Sequence, residues 1–246
     1  MTNFTIQIAG TAISVTANFE STREFCADYL CACAPDFSVS LSPSDIAFER
    51  EKSAREDALE GHSVREHSDA YLETLALQRK ITEGLFAHGI LLFHGSVIAV
   101  DGIGYLFTAK SGTGKSTHTR LWRQHFGERA VMVNDDKPFL RITAHGVTAY
   151  GTPWMGKHRL GANISVPLKA ICILSRGDRN HIQKLPAKEA VFMLLQQSSR
   201  PRDPKQMPRY LELVDQLSAA VDFYDLRCNM EPEAARIAYE GIQGKL

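Results

Sequence analysis

Residues 91–117 read Leu-Leu-Phe-His-Gly-Ser-Val-Ile-Ala-Val-Asp-Gly-Ile-Gly-Tyr-Leu-Phe-Thr-Ala-Lys-Ser-Gly-Thr-Gly-Lys-Ser-Thr. Two apolar runs flank Asp101-Gly-Ile-Gly104. An Asp-Gly pair between such runs is a strong hairpin signal, because both residues tolerate positive φ. The second run feeds a glycine-rich turn that closes on Lys115-Ser116 at the mouth of a helix. In a doubly wound parallel sheet a helical crossover, not a tight hairpin, leads into such a turn. The stretch therefore predicts an α/β fold with a mixed, hairpin-rich sheet. A second hairpin is expected over Pro138–Ile142 and Val147–Tyr150, turning at Ala144-His-Gly146.

The turn also has a chemistry. Ser111, Gly112, Thr113 and Gly114 point successive backbone N–H groups at one spot, a geometry suited to a phosphate chain. Lys115 adds a point charge for the β- and γ-phosphates, and Ser116 a hydroxyl for Mg²⁺. The first glycine of the phosphate-loop pattern is Ala109 here, acceptable where that residue does not need positive φ. A helix follows over Thr117–Phe126, then a buried strand at Ala130–Val133 that ends in Asn134-Asp135-Asp136. One carboxylate at such a strand end can hold Mg²⁺, and its neighbour can take a proton from an attacking hydroxyl. Taken alone, Asp135-Asp136-Lys137-Pro138 also reads as a polar turn between strands.

With 246 residues the chain has material for one large domain or two small ones. Its 28 basic and 28 acidic residues balance, so no electrostatic footprint for nucleic acid or an anionic membrane is expected. No apolar run approaches the roughly 20 residues that span a bilayer, and the N-terminus lacks the pattern of a signal peptide. Cys26, Cys31, Cys33, Cys172 and Cys228 are an odd set. Cys172 sits in an apolar run, and the first three fall in a stretch read as helical, Thr22–Ala34, which favours packing over a zinc site. With the thiols expected to be reduced, the cytoplasm is the expected location.

Residues 1–80 read as a small α+β region: strands at Phe4–Ile8 and Ala12–Thr16, the helix just named, a strand at Phe37–Leu41, and a helix from Asp69 to His88. Residues 49–69, charged and poor in apolar side chains, read as a linker or exposed segment. Residues 81–246 form the second domain. There, Gly151–Asn163 is a loop with three glycines and the basic residues Lys157, His158 and Arg159. Lys157 or Arg159 is positioned to reach phosphate oxygens, with Trp154 as anchor; a solvent-exposed loop around a buried Trp is the plainer alternative. Strands at 168–175, 180–185 and 223–226 and helices at 187–199, 204–220 and 231–243 complete the chain. Arg200-Pro-Arg202 is a further basic contact or a solvated loop.

The succession His94-Gly-Ser-Val-Ile, Gly104, Ser111-Gly-Thr-Gly-Lys-Ser116 and Val133-Asn-Asp-Asp136 resembles the bacterial HPr kinase/phosphorylase family. That family shares its nucleotide-binding core with the ATP-dependent phosphoenolpyruvate carboxykinases. Short bacterial carboxykinase-like proteins are similar also at Gly151-Thr-Pro-Trp154, Cys228-Asn229 and Glu233-Ala-Ala235, so that the likeness covers roughly residues 85–246. The resemblance implies a P-loop kinase core with ATP and Mg²⁺ as cofactors and an assembly of copies. Lys115 would bind the β- and γ-phosphates, Ser116 and Asp136 the metal, and Thr117 would lie near the α-phosphate. Asp135 would deprotonate the acceptor, and His94 would lie near the transferred phosphate. The Arg-Gly-rich signature that serves the carrier-protein substrate is replaced by the loop at 151–161. The expected function is a Mg²⁺-ATP-dependent phosphotransferase to a hydroxyl of a protein, peptide or small metabolite. A nucleotide-binding regulatory or scaffold protein without turnover is the alternative. A third reading, compatible with the first, gives residues 1–80 a peptide- or carrier-binding role.

Overall fold

At the start of the chain, Thr2–Ile8 (β1) and Thr11–Ala17 (β2) pair antiparallel around Ala9-Gly10, both at positive φ. The computed structural model describes residues 1–59 and 61–245, which divide into two units, Met1–Leu85 and Phe86–Leu246. In the first, Phe37–Ser40 (β3) joins β2 in parallel. The helix expected over 22–34 is shorter: Glu20–Phe25 (α1) gives way to a single 3-10 turn, Ala27–Tyr29, because Leu30 bridges Ile6 and the Cys31 N–H donates to Thr5. The charged stretch read as a linker is helical up to Leu59, within Pro43–Leu59 (α2). Two of its acidic residues are paired across space: Glu49, 1% exposed, and Asp45 both accept from Arg79 on Asp69–Leu85 (α3). Glu73 of α3, fully buried, accepts from the Asn18 and Phe19 amides, the Asn18 carboxamide and the Thr22 hydroxyl.

The second unit opens with Ile90–Leu92 (β4) and the expected hairpin, Ser96–Val100 (β5) against Ile103–Thr108 (β6). Asp101 and Gly102 both take positive φ, 52° and 78°, as the two-residue turn requires. Lys115–Phe126 (α4) leads to Ala130–Asn134 (β7), and the second hairpin forms as Phe139–Thr143 (β8) and Gly146–Tyr150 (β9). Then come Ser165–Arg176 (β10), His181–Leu185 (β11), Ala187–Gln197 (α5), Met207–Ala220 (α6), Asp222–Cys228 (β12) and Glu233–Ile242 (α7).

The sheet is mixed and curled, and β10 organises it. The first residues of β10 pair antiparallel with β9; its remainder runs parallel to β6 on one side and to β12 on the other. Beyond β6 the order is β5 then β7, both pairings antiparallel. Helices cover both faces. Val97, Leu106 and Ile171 pack toward α5 and α6, while Ile98, Tyr105, Phe107 and Cys172 pack toward α4 and α7. Burial on both sides explains the continuous apolar runs that these strands show in the sequence.

Candidate functional site

The site lies at one end of the sheet, and strand direction puts it there. The glycine-rich turn leaves the carboxyl end of β6; its parallel neighbour β10, and β12 beyond it, end at the same edge, at Arg176 and Cys228. Because β5 runs against β6 and β7 against β5, the start of β5 and the end of β7 reach the same edge; Ser96 faces Phe107, and Val97 faces Asn134. Crevices at the carboxyl ends of parallel strands are where α/β sheets hold ligands.

In the turn, Gly112 and Gly114 take φ of 75° and 123°, backbone that a side chain would strain. Ala109 keeps a negative φ and is 5% exposed in the core, so its methyl group is accommodated. Arg176 holds the turn from outside, its Nη2 donating to the Gly112 carbonyl at 2.6 Å and its Nε to the Thr113 carbonyl at 3.1 Å. These two bonds tie the turn to the end of β10. Lys115 opens α4, and its Nζ donates to the Ala109 carbonyl at 3.4 Å. Ser116 and Thr117 follow in the first turn of the helix, both half-buried.

Asn134 organises the acidic pair. Its Oδ1 accepts from the Asp136 and Lys137 amides at 2.8 and 2.7 Å; its Nδ2 donates to the Thr152 hydroxyl at 3.0 Å and to the Thr152 and Trp154 carbonyls. The turn carrying the carboxylates and the loop after β9 are thus tied by one buried amide. Asp135 is 4% exposed, and its Oδ1 accepts from the buried Ser96 hydroxyl at 2.8 Å. Asp136 is more open and faces His94, Nε2 to Oδ1 at 3.4 Å.

The electrostatics follow from partial burial of several charges together. Burial lowers the Lys115 pKa, opposed by Asp136, reinforced by Lys137 and opposed again by Asp135. Burial raises that of Asp136, with Lys137 and Lys115 pulling it back. Burial, then the Lys137 and Lys115 ammonium groups, push His94 down to about 3. His94 is therefore a neutral imidazole at pH 7, and its contact with Asp136 is a polar one between a neutral ring and a carboxyl. It lies between β4 and β5, fixed by its amide on the Gln197 carbonyl and its carbonyl on the Thr108 hydroxyl.

The structure thus gathers Lys115, Asp135, Asp136 and His94 into one electrostatic neighbourhood, with Ser111–Thr117 alongside. Lys157 is exposed on the loop, next to Gly156, which lies against Asp136. Beside the glycine-rich turn is a cleft of about 470 Å³, lined among others by Gly112, Thr117, His118, Leu174, Cys228 and Met230. Sequence reasoning missed Ser96, Arg176 and Lys137 as parts of the site. Ser96 read as a strand residue, and Arg176 reaches the turn only through the β6–β10 pairing. Lys137 adjoins the acidic pair and was legible by adjacency. Among the described residues no three His, Cys, Asp or Glu side chains form a ready metal cage. Mg²⁺ needs only one or two carboxylates beside phosphate and water oxygens, and Asp136 and Ser116 carry oxygens of the type that could serve it.

Fold and site together define a mixed α/β protein with a glycine-rich turn and an aspartate pair at the same end of its sheet. The chain belongs to the SynChlorMet cassette protein ScmC family, whose model matches residues 62–231. Among solved structures it is similar to the HPr(Ser) kinase/phosphatase from Coxiella burnetii, with 9% identity and a TM-score of 0.36 over 62% of this chain and 97% of that one. No curated protein matches the chain. No helix among the described residues is long and apolar enough to cross a membrane.

Proposed function

We propose that the chain is a Mg²⁺-ATP-dependent phosphotransferase that moves the γ-phosphoryl group to a hydroxyl of a protein, peptide or small molecule. The observation that carries the reading is the convergence of Lys115 with Asp135, Asp136 and Lys137 at one sheet end, each perturbing or neighbouring the others. The loop amides and Lys115 would hold the triphosphate, with its nucleoside toward the cleft beside Thr117 and His118. Asp136 and Ser116 would hold Mg²⁺, which supplies charge neutralisation at the phosphates. Asp135, its Oδ1 fixed by Ser96, would take the hydroxyl proton as the acceptor oxygen bonds to phosphorus and the bond to the departing ADP breaks. His94, neutral, would donate or accept a hydrogen bond near the moving group without adding charge. Lys157 or Arg159 would neutralise developing charge, since catalysis of this type is mostly positioning and electrostatics.

Incubation with γ-labelled ATP and Mg²⁺ tests the reading. Lys115→Ala should lose nucleotide binding and label movement together. Asp135→Asn should bind Mg-ADP within a few-fold of wild type yet move label about 10² to 10⁴ times more slowly, the usual worth of a general base. Equal loss of binding in both variants would refute this division of roles. Nucleotide bound tightly but never turned over would favour the regulatory or scaffold alternative.

A further inference from the structure

The loop after β9 contains three glycines, and the structure gives a reason for only two. A Cβ on Gly151 would fall 1.8 Å from the Ala162 carbonyl oxygen, and one on Gly161 would fall 3.0 Å from the Met155 side chain and 3.1 Å from the Val133 carbonyl. Packing demands glycine at Gly151 and leaves a side chain at Gly161 only a tight fit. Gly156 is different. Its φ is not positive, and a Cβ there would meet its nearest neighbours, Asp136 Cβ, the Asp135 carbonyl and Asp135 Oδ2, at 3.4, 3.7 and 3.8 Å. Those are ordinary contacts. Neither backbone strain nor collision selects glycine, and a loop glycine free of both demands destabilises the fold relative to alanine through the unfolded chain. The missing side chain would have stood over the acidic pair.

The rest of the geometry says which atom that space serves. Asp135 is almost wholly buried, and its Oδ1 is occupied by the Ser96 hydroxyl at 2.8 Å. Oδ2 is the oxygen that faces Gly156. We infer that Gly156 is a specificity-determining position: the acceptor hydroxyl reaches Asp135 Oδ2 through the space that Gly156 leaves open. This rests on the phosphotransferase reading and narrows it to acceptors whose hydroxyl stands on a slender stem. A hydroxyl oxygen must come within about 2.8 Å of Oδ2 to hand over its proton. A methyl group on Gly156 would stand 3.8 Å from the same atom and crowd that approach.

The test uses the full chain with γ-labelled ATP, Mg²⁺ and glycerol, so that water and a small primary alcohol are both present as acceptors. Wild type, Gly156→Ala and Gly156→Val are compared for label lost from ATP, Mg-ADP affinity and thermal melting. Gly156→Ala should melt at or above the wild-type temperature, bind Mg-ADP within twofold, and lose label about tenfold more slowly; Gly156→Val should be slower by about a hundredfold, the scale of effect that a misplacement near 1 Å produces. Wild-type turnover in Gly156→Val would overturn the inference. So would Mg-ADP affinity falling in step with turnover, which would make the position part of the nucleotide site. A clearly lowered melting temperature in Gly156→Ala would show that packing selects the glycine. A wild-type protein that moves no label overturns the phosphotransferase reading itself, and the inference with it; in that case the defect is visible before any variant is compared.

Discussion

Asn134 shows how much of the site hangs on a single amide. Both ends of its carboxamide are used within a fully buried setting, the oxygen by two backbone N–H groups and the nitrogen by Thr152 and Trp154 oxygens. Asn134→Asp has the same shape and keeps the acceptor end. The nitrogen becomes an oxygen facing two carbonyls and a hydroxyl that itself donates to the Lys137 carbonyl. A buried acceptor set against acceptors costs about 2–4 kcal/mol, counting lost bonds and an unpaired buried charge. A urea titration should show the midpoint falling with the slope unchanged, and label transfer should fall more than nucleotide binding, because the amide positions Asp135 and Asp136 and not the glycine-rich turn. In the sequence Asn134 was visible only as the head of an acidic turn. Its bonding depends on a loop 18 and 20 residues away, which no local pattern encodes.

At the scale of elements, the parts legible in the sequence are those whose cause is local. Asp101-Gly102 dictates a hairpin because both residues accept positive φ, and Gly112 and Gly114 dictate the turn for the same reason. The helix over 43–59 was not legible from its charges, since Arg79 on a later helix is what makes Glu49 tolerable in the interior. The clamp on the glycine-rich turn was invisible for a similar reason: Arg176 meets Gly112 and Thr113 only because β10 runs parallel to β6, 63 and 64 residues along the chain. A guanidinium can serve both carbonyls as a planar fork, and an ammonium cannot. Arg176→Lys and Arg176→Leu should therefore weaken Mg-ADP binding alike, by about tenfold, the equivalent of roughly one net hydrogen bond. Because Arg176 is exposed, neither change should move the melting temperature appreciably. Titration with a fluorescent ADP analogue checks the first expectation and a thermal melt the second; a lysine variant with wild-type affinity would assign the effect to charge.

Across the whole molecule, the second unit buries both faces of its sheet, and α4 follows directly on the glycine-rich turn and packs its core side chains against that sheet. Burial of that helix encloses a titratable group. His118, 2% exposed, accepts the Trp122 indole N–H on Nε2 at 2.9 Å, which leaves Nδ1 as the protonated nitrogen, turned toward Cys228 Sγ at 3.7 Å. Burial pushes the imidazole from 6.5 down to about 3. The folded state thus resists a proton that the unfolded chain accepts below about pH 6.5. Stability is untouched at pH 7, falls as the pH drops through 6.5, and goes on falling toward pH 3, at up to about 1.4 kcal/mol per pH unit. Between pH 7 and 5 this one group should remove about 2 kcal/mol. Urea unfolding followed by Trp fluorescence at the two pH values measures the loss. His118→Gln keeps an acceptor for Trp122 and cannot be protonated, so it should be less stable than wild type at pH 7 yet lose less on acidification. Parallel losses in wild type and variant would mean that acid acts elsewhere in the fold.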